Sequence, residues 1–396
     1  MSTMLFLRQT TLARQFAQQT KRWNSTAVDS FKASQLRVTK SNNLKPLVAK
    51  QDLVFGKTFT DHMITAEWTE ASGWAAPELR PYEKLALEPS AVVFHYASEC
   101  FEGMKAYKDK DGKIRLFRPD MNMARMNRST ARIALPQFDG DELTKCIGEY
   151  LKLDERWIPE GRGYSLYLRP TMIGTQESLG VNPSNRALLF VIGCPVGPYY
   201  AHGFKAVKLK ATTEYIRAWP RGTGDAKVGG NYAPGVMPQR LAMKQGYHQN
   251  LWLFGEDHQL TEVGTMNLFI LWENEQGDLE LATPPLDGSI LPGVTRDSIL
   301  SLARSWNEFK VTERKMTMPQ LRDAIKEGRV KEMFGAGTAA IVSPIRTIEY
   351  LGEDLQIPLD PNDASSEAGP YTKRFNETIM DIQYGQVEHP WSVVVN

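Results

Sequence analysis

Regularly spaced apolar residues predict a series of helices and strands in the first half of the chain. Residues 121–135 (MNMARMNRSTARIAL) and 140–157 (GDELTKCIGEYLKLDERW) repeat apolar side chains at the period of an amphipathic helix. Residues 114–119 alternate as a strand does, and residues 164–174 and 186–193 also predict strands. Helices and strands are therefore mixed in this region.

The second half of the chain continues this mixture. Residues 249–254 (QNLWLF) and 266–273 (MNLFILWE) predict strands, and residues 331–344 predict two short strands around a glycine-rich turn. One helix is predicted in residues 291–306, after a Pro-Gly turn, and another in residues 371–385. The whole pattern indicates a mixed α/β protein with two lobes.

Proline and glycine are concentrated between two strand-like segments, in residues 194–204 (CPVGPYYAHGF). A chain of 396 residues is long enough for two domains that each bury a core. We therefore predict a small N-terminal domain at residues 29–199, a linker at residues 200–207 and a larger domain at residues 208–396.

Charge and composition restrict the kinds of partner. The 47 basic and 46 acidic residues nearly cancel, which argues against a nucleic-acid-binding surface. The longest apolar run, residues 187–197, is far too short to span a bilayer, so no membrane partner is expected. Cys100, Cys146 and Cys194 lack metal-ligand spacing and are odd in number, which favours a reducing compartment.

The first residues differ in composition from the rest of the chain. Residues 1–28 contain four basic residues, many hydroxyl residues and no acidic residue, since Asp29 is the first acid. Leu5, Leu12 and Phe16 can share one helical face. This composition is typical of a mitochondrial transit peptide, which directs a protein to the matrix. A disordered basic tail is the alternative, and the apolar stretch is too short for a secretory signal.

One lysine has an unusual setting. Lys227 stands in the segment GDAKVGGNY (224–232), and glycine also occurs nearby at positions 222 and 235. A buried lysine with a lowered pKa is the usual protein group that forms an imine with an aldehyde, and pyridoxal phosphate is the commonest such aldehyde. That cofactor also needs backbone N–H groups for its phosphate and a carboxylate for its pyridine nitrogen. Glycines beside the lysine would permit its close approach.

Candidates for these other groups follow along the chain. The glycine turns at residues 291–296 (LPGVTR) and 335–340 (GAGTAA) can supply amides, and Glu262 can supply the carboxylate. Taken separately, each feature also fits an ordinary structure: a surface lysine, a salt-bridge partner and a tight hairpin. The segment around Lys227 lacks the spacing of a phosphate-binding Walker loop, no dinucleotide-binding glycine pattern follows a strand, and the six histidines form no zinc-like cluster.

Together these motifs resemble the branched-chain amino acid aminotransferases, a fold-type-IV family of pyridoxal-phosphate enzymes. The family signature is matched by EVGTMNLF (262–269), LAT (281–283) and LPGVTR (291–296). Further matches include FHYASECFEGMKAY (94–107), IRAWPRGTGDAKVGGNY (216–232) and MFGAGTAAIVSPI (333–345). The resemblance implies a two-domain α/β fold (mixed α+β), with a small α+β lobe, a larger barrel-like lobe and the cofactor between them.

The resemblance also implies how the chain holds pyridoxal 5'-phosphate. Lys227 would form the imine and shuttle protons, and Glu262 would pair with the pyridine nitrogen. The groups implied around the phosphate are Arg125, Arg217 and the backbone amides of Val294, Thr295 and Thr338. The remaining cofactor contacts implied are Tyr232, at the phenolic oxygen, and Thr265.

The substrate pocket implied by the resemblance is largely aromatic. Its walls would be formed by Phe55, Tyr96, Phe101, Tyr167 and Tyr199. Arg169 would meet the distal carboxylate of glutamate, and the amides of Thr338 and Ala339 would hold the α-carboxylate of the substrate. Ordinary core packing is the alternative role of each aromatic residue.

The implied activity is transfer of the amino group of L-leucine, L-isoleucine or L-valine to 2-oxoglutarate, and the reverse, by a ping-pong mechanism through pyridoxamine phosphate. A homodimer is also implied, in which the neighbouring subunit closes each site. The alternatives are another enzyme of this fold, acting on D-amino acids or aminodeoxychorismate, and a catalytically silent scaffold. Some animal members carry a Cys-x-x-Cys thiol switch after the Gly-Thr-Ala turn. Ala340 and Ser343 occupy those positions here, which excludes control through that pair.

Overall fold

The structure is a computed structural model that describes residues 29–198 and 204–395. The predicted transit peptide, residues 1–28, and Tyr199 lie outside the described residues. The α-helices of the described part are α1 (Val92–Tyr96), α2 (Pro119–Arg132), α3 (Gly140–Leu153), α4 (Val236–Lys244), α5 (Val294–Trp306), α6 (Met318–Lys326) and α7 (Pro370–Gln383). In this part of the chain, no helix combines the length and the apolar character needed to cross a membrane.

The described strands form two sheets, and the first is built mainly from the first half of the chain. Its strands are β1 (Arg37–Val38), β2 (His62–Thr69), β3 (Gly73–Trp74), β4 (Glu78–Pro81), β5 (Glu99–Phe101), β6 (Met104–Lys108), β7 (Ile114–Phe117), β8 (Ser165–Gly174), β9 (Arg186–Val196) and, from the end of the chain, β19 (Ser392–Val394). Their order is β1-β4-β2-β9-β8-β6-β7-β19, with β3 paired to β2 and β5 paired to β8.

The second sheet closes on itself. Its strands are β10 (Val207–Thr212), β11 (Gln249–Phe254), β12 (Gln259–Val263), β13 (Met266–Glu273), β14 (Leu279–Thr283), β15 (Lys310–Glu313), β16 (Val330–Gly337), β17 (Ile341–Tyr350) and β18 (Glu353–Gln356). Six of them pair in the ring β10-β11-β12-β13-β16-β17, and β17 pairs back to β10. A ring of hydrogen-bonded strands forms a barrel, so the expected mixed α/β fold with a barrel-like lobe is confirmed.

The chain changes from the first sheet to the second between β9 and β10, and only β19 returns to the first sheet, where it pairs with β7. This change falls at the predicted linker. The domain boundaries 29–199, 200–207 and 208–396 stay a prediction. Strand β19 belongs to the predicted larger domain but pairs with β7 in the sheet of the predicted small domain, so the two sheets do not coincide with the two segments.

Helix α3 illustrates how the sequence specifies these elements. The side chain of Asp139 caps its first turn by accepting the N–H of Asp141 at 3.0 Å. The apolar residues at three- and four-residue spacing are buried against the first sheet; they are Leu143, Cys146, Ile147, Tyr150 and Leu151. The helix therefore forms from a capped, amphipathic segment.

Some predicted elements end earlier in the structure, and two of them show why. The helix predicted at residues 140–157 ends at Leu153, because the Asp154 carboxylate is held by the backbone N–H of His62 at 2.9 Å and lies 2.6 Å from its Nδ1. The strand predicted at residues 114–119 ends at Phe117, because Arg118 has φ +48° and Pro119 begins α2.

Candidate active site

A cavity of about 460 Å³ lies between the two sheets. Its walls come from β5 and β8 of the first sheet, from the segment around Lys227, from β13 and the start of α5, and from the turn between β16 and β17. The predicted site residues that line it are Phe55, Phe101, Arg125, Tyr167, Arg169, Lys227, Tyr232, Thr265, Val294, Thr295, Thr338 and Ala339. The fold therefore brings together residues from distant parts of the chain.

The lysine loop, residues 224–232, is fixed between the two sheets. The N–H of Lys227 donates to Ser129 Oγ of α2 at 2.8 Å, its carbonyl accepts the N–H of Phe101 at 3.0 Å, and Val228 forms a β-bridge with Cys100. None of the glycines of this loop has a left-handed φ. Two of them are needed for close packing instead: a Cβ on Gly224 would clash with the backbone carbonyl of Gly288, and one on Gly229 would meet the carboxylate of Glu99.

The amino group of Lys227 lies against aromatic rings in the cavity. Its Nζ donates to Tyr232 Oη at 3.1 Å and lies 4.8 Å from the centre of the Phe101 ring. Burial, and then the charge of Arg125, lower the pKa of Lys227 to about 8. The uncharged amine, which is the form that attacks an aldehyde, is therefore far more abundant near neutral pH than it is for an exposed lysine.

Arg125 is held by a carboxylate that the sequence reasoning missed. Glu102, which is 0 % exposed, accepts Arg125 Nε at 2.6 Å and Nη2 at 2.8 Å, and it also accepts the Asn122 side-chain amide at 2.8 Å. Burial alone would raise the pKa of Glu102, but the charge and hydrogen bonds of Arg125 outweigh burial and hold the pKa below its usual value. Asn122, Arg125 and Ser129 lie on one face of α2, since they are three and four residues apart. This spacing was the sequence signal that could have indicated a polar cluster around Arg125.

Glu262 is buried immediately behind the cavity wall. One oxygen accepts the N–H of Leu291 at 2.6 Å, and the other lies 2.9 Å from Arg217 Nε. Burial raises the pKa of Glu262, and the charge of Arg217 offsets this effect only in part. The N–H of Leu291 is taken by this carboxylate, and α5 begins at Val294, directly after the Pro-Gly turn as predicted.

The start of α5 and the turn between β16 and β17 face the cavity beside Arg125. Val294 and Thr295 occupy the first turn of α5, where backbone N–H groups have no intrahelical partner. A helix N-terminus of this kind, together with a guanidinium, suits a phosphate. The groups present thus fit pyridoxal phosphate: a lysine amine, a buried carboxylate and an anion cradle line or adjoin one cavity.

The part of the cavity away from this anion cradle is lined by aromatic side chains and by one cation, Arg169. Phe55 and Tyr167 meet edge to face with ring centres 4.9 Å apart. The Arg169 guanidinium lies 4.7 Å from the centre of the Phe101 ring, and its Nη2 donates to Tyr167 Oη at 3.3 Å. Its buried Nε has no hydrogen-bond partner among the described residues. This end can therefore accept an apolar side chain and still offer a positive charge.

Three predicted site residues do not line the cavity. Arg217 and Glu262 do not line the cavity but lie behind it, where they pair with each other. Tyr96 is not brought into the cavity of its own chain: it is 41 % exposed in α1, and its hydroxyl bonds the carbonyl of Leu179. Tyr199 falls outside the described residues.

Two further residues near the cavity were not found from the sequence. Glu99 lines it, and burial raises the pKa of Glu99. Lys105, which is 7 % exposed, donates to the carbonyl of Ala339 at 2.8 Å, and burial lowers the pKa of Lys105 to about 8. Their neighbours come from distant parts of the chain, so no local pattern in the sequence indicated them.

Comparison with known proteins identifies the family of the chain. Residues 99–348 match the family described as Amino-transferase class IV. The chain is 58 % identical to a branched-chain-amino-acid aminotransferase of Monosiga brevicollis, over 93 % of each chain, and 56 % identical to one of Dictyostelium discoideum, over 94 % of this chain and 98 % of that one. A crystal structure of the Escherichia coli branched-chain amino acid aminotransferase matches in fold, with TM-score 0.64 and 25 % identity, over 84 % of this chain and 99 % of that one.

Other relatives include proteins named as cytosolic and proteins named as mitochondrial forms. The family match covers more than half of the chain, and the relatives are similar over nearly all of it. The chain therefore belongs to the class IV aminotransferases, which use pyridoxal phosphate, and within them to the branched-chain-amino-acid aminotransferases.

Proposed function

We propose that this protein exchanges the amino group between leucine, isoleucine or valine and 2-oxoglutarate in the cavity between the two sheets. The observation that carries the proposal is the pairing of Lys227 with a pocket that is aromatic but contains Arg169. A branched aliphatic side chain gains about 1.5–3 kcal/mol from burial in such a pocket. A glutamate side chain needs a cation in the same place.

The chain's own groups suit the cofactor at three points. Arg125 and the first-turn amides of Val294 and Thr295, with Thr338, would hold the phosphate. Glu262, kept in place by Arg217, would hold the pyridine nitrogen, and Tyr232 and Thr265 would contact the rest of the ring. When bound, pyridoxal phosphate supplies an aldehyde for the amino group and a ring that withdraws electrons from the reacting carbon.

Lys227 would both bind this aldehyde and move the proton at the reacting carbon. Its lowered pKa favours the uncharged amine, which can accept a proton near neutral pH. Tyr232 Oη, within hydrogen-bond distance of Lys227 Nζ, would orient the amine, and burial raises the pKa of Tyr232 to about 12, so the phenol stays protonated. The amides of the Thr338–Ala339 turn would fix the α-carboxylate of the substrate.

Arg169→Gln is expected to impair the glutamate half-reaction far more than the leucine half-reaction. Only glutamate brings a second carboxylate into the aromatic end of the pocket, and an unpaired charge there is costly. Loss of a charge-assisted hydrogen bond costs about 1.5–3 kcal/mol, or about 10- to 100-fold in kcat/KM. Single-turnover kinetics with each amino acid, followed by the visible absorbance of the cofactor, measure this difference.

The matched control is Arg186→Gln, since Arg186 is an exposed arginine of β9 whose ion pair with Glu177 is also exposed. Both half-reactions should keep their wild-type rates in this control. Equal losses for leucine and glutamate in Arg169→Gln would show that Arg169 only braces Tyr167 and the wall around it. The wild-type enzyme should also turn over L-leucine but neither D-alanine nor aminodeoxychorismate. Turnover of either compound in preference to L-leucine would contradict the proposed substrate class.

We infer that the protein is a homodimer. Phe94 and Tyr96 of α1 and the nearby Leu179 and Val181 expose 60 %, 41 %, 68 % and 78 % of their surface. Clustered exposed apolar side chains of this kind mark protein–protein contacts. Contact with a second copy would cover this patch and could carry Tyr96 to the site of that copy. Light scattering should give twice the mass of the chain, and a monomer that is active at the same concentration would contradict this inference.

We also propose that residues 1–28 direct the protein to the mitochondrial matrix. The support is their basic, acid-free composition. A reporter fused to residues 1–30 should enter mitochondria, whereas a fusion in which Arg8 and Arg14 are replaced by glutamate should not. A wild-type fusion that stays in the cytosol would refute this localisation.

A further inference from the structure

The turn that joins β16 to β17 has a backbone conformation that its sequence disfavours. Gly337 pairs with Ile341 across the hairpin, so the turn consists of Thr338, Ala339 and Ala340. Ile341, which ends the turn, has φ +63°. Left-handed positions in hairpins usually carry glycine or asparagine, and a β-branched residue there is a genuine outlier.

Packing holds this conformation in place. Ile341 is 8 % exposed and belongs to the hydrophobic cluster that also contains Val294 and Phe334. On the other side of the turn, Lys105 Nζ holds the carbonyl of Ala339 at 2.8 Å. Because a trans peptide is planar, the N–H of Ala340 must then point away from Lys105. Lys105 therefore fixes the direction of the Ala339–Ala340 peptide group, and the packing of Ile341 anchors the end of the turn.

We propose that Ile341 is a positioning residue for substrate binding: its buried side chain keeps the turn in the one conformation that presents the Thr338 and Ala339 amides to a carboxylate. Ile341 does not line the cavity, so it acts only through the turn. The inference rests on the proposed function of these amides as the α-carboxylate site. Strained backbone of this kind persists only where the surroundings enforce it, and it recurs at binding sites.

The proposal predicts that glycine at position 341 preserves substrate binding better than alanine does. This order is the reverse of the one expected if Ile341 matters only for stability. Ile341→Gly and Ile341→Ala both remove the packing of the side chain. Glycine adopts the left-handed conformation freely, whereas alanine does not. If the left-handed backbone sets the turn, the alanine variant loses the binding conformation and the glycine variant keeps access to it. If Ile341 matters only for general stability, glycine is the worse substitution, because it is more flexible.

The test measures binding of 4-methylvaleric acid, which has the leucine skeleton and a carboxylate but no amino group, to the holoenzyme by calorimetry. The neutral amide of the same acid is the matched ligand. We expect the alanine variant to bind the acid about 5- to 30-fold more weakly than the glycine variant does, with the amide binding alike in both. Leucine kinetics should show the difference in KM rather than in kcat.

An alanine variant that binds the acid as tightly as the glycine variant, or more tightly, overturns the role of Ile341. A wild-type enzyme that binds acid and amide equally well overturns the carboxylate site itself, which is a separate failure. If the alanine variant does not fold, Ile341→Asn and Ile341→Thr replace the pair, because asparagine tolerates the left-handed conformation and the β-branched threonine does not. The threonine variant must then bind the acid more weakly, and the opposite order refutes the proposal.

Discussion

Lys227→Ala is expected to abolish amino transfer while the protein stays folded. The side chain would serve twice, as the amine that binds the cofactor aldehyde and as the base at the reacting carbon. Loss of a general base alone costs about 10²- to 10⁴-fold in rate, so losing both functions should bring the rate below detection. Folding should survive, because removing Lys227 takes a cation away from the neighbouring Arg125. Leucine-to-2-oxoglutarate turnover and circular dichroism together check both parts.

Lys244→Ala is the control for this variant, since Lys244 is an exposed lysine at the end of α4, and it should remain fully active. Borohydride reduction of the wild-type holoenzyme, followed by peptide mapping, should place the phosphopyridoxyl group on Lys227. A label on another lysine, such as Lys105, would refute the assignment even if Lys227→Ala were inactive.

The arrangement of helices and strands was largely predictable because it depends on local patterns. Residues 249–254 and 266–273 were predicted as strands and are β11 and β13. Strand β13 is buried at seven consecutive positions, six of which are apolar, and its sequence pattern indicates this burial. The closing of six strands into a barrel follows from pairing between distant segments, such as β10 with β17. Only the resemblance to a known family indicated that closure.

The candidate site was predictable to the extent that single residues stand out in the sequence. Lys227 and Glu262 were found from their glycine-rich or signature settings. The resemblance placed Arg217 near the phosphate, but its pairing with Glu262 was not predicted, because the two residues are far apart in the chain and meet only in the fold. Tyr96 shows a different limit of sequence reasoning. Its sequence motif is present, but in the structure of one chain Tyr96 does not line the cavity.

The charged groups of the site leave a small excess of positive charge before any cofactor is considered. Arg125 lies against Glu102, and Arg217 lies against Glu262, in both cases with little exposure to solvent. Lys227 and Arg169 add positive charge, and Glu99 adds one carboxylate whose pKa is raised by burial. A phosphate that enters this site therefore meets a preformed excess of positive charge. Removing Glu102 should increase that excess.

Glu102→Gln is expected to destabilise the apoenzyme by about 3–5 kcal/mol, since it leaves the buried Arg125 without its counter-charge. Pyridoxal phosphate should restore part of this loss, because its phosphate would supply the missing negative charge beside Arg125. The gap in stability between holoenzyme and apoenzyme should therefore be wider in the variant than in the wild-type protein. Urea unfolding of both forms of both proteins measures the two gaps.

Glu308→Gln is the matched control, because Glu308 also accepts two hydrogen bonds from one arginine, Arg374, but on the surface. Exposed pairs contribute little, so its unfolding midpoint should hardly change in either form. The charge argument would be contradicted if the difference in stability between holoenzyme and apoenzyme were no larger in Glu102→Gln than in the wild-type protein. That result would mean that Glu102 mainly aims Arg125 at the phosphate, since a misdirected guanidinium would weaken cofactor binding and narrow the gap.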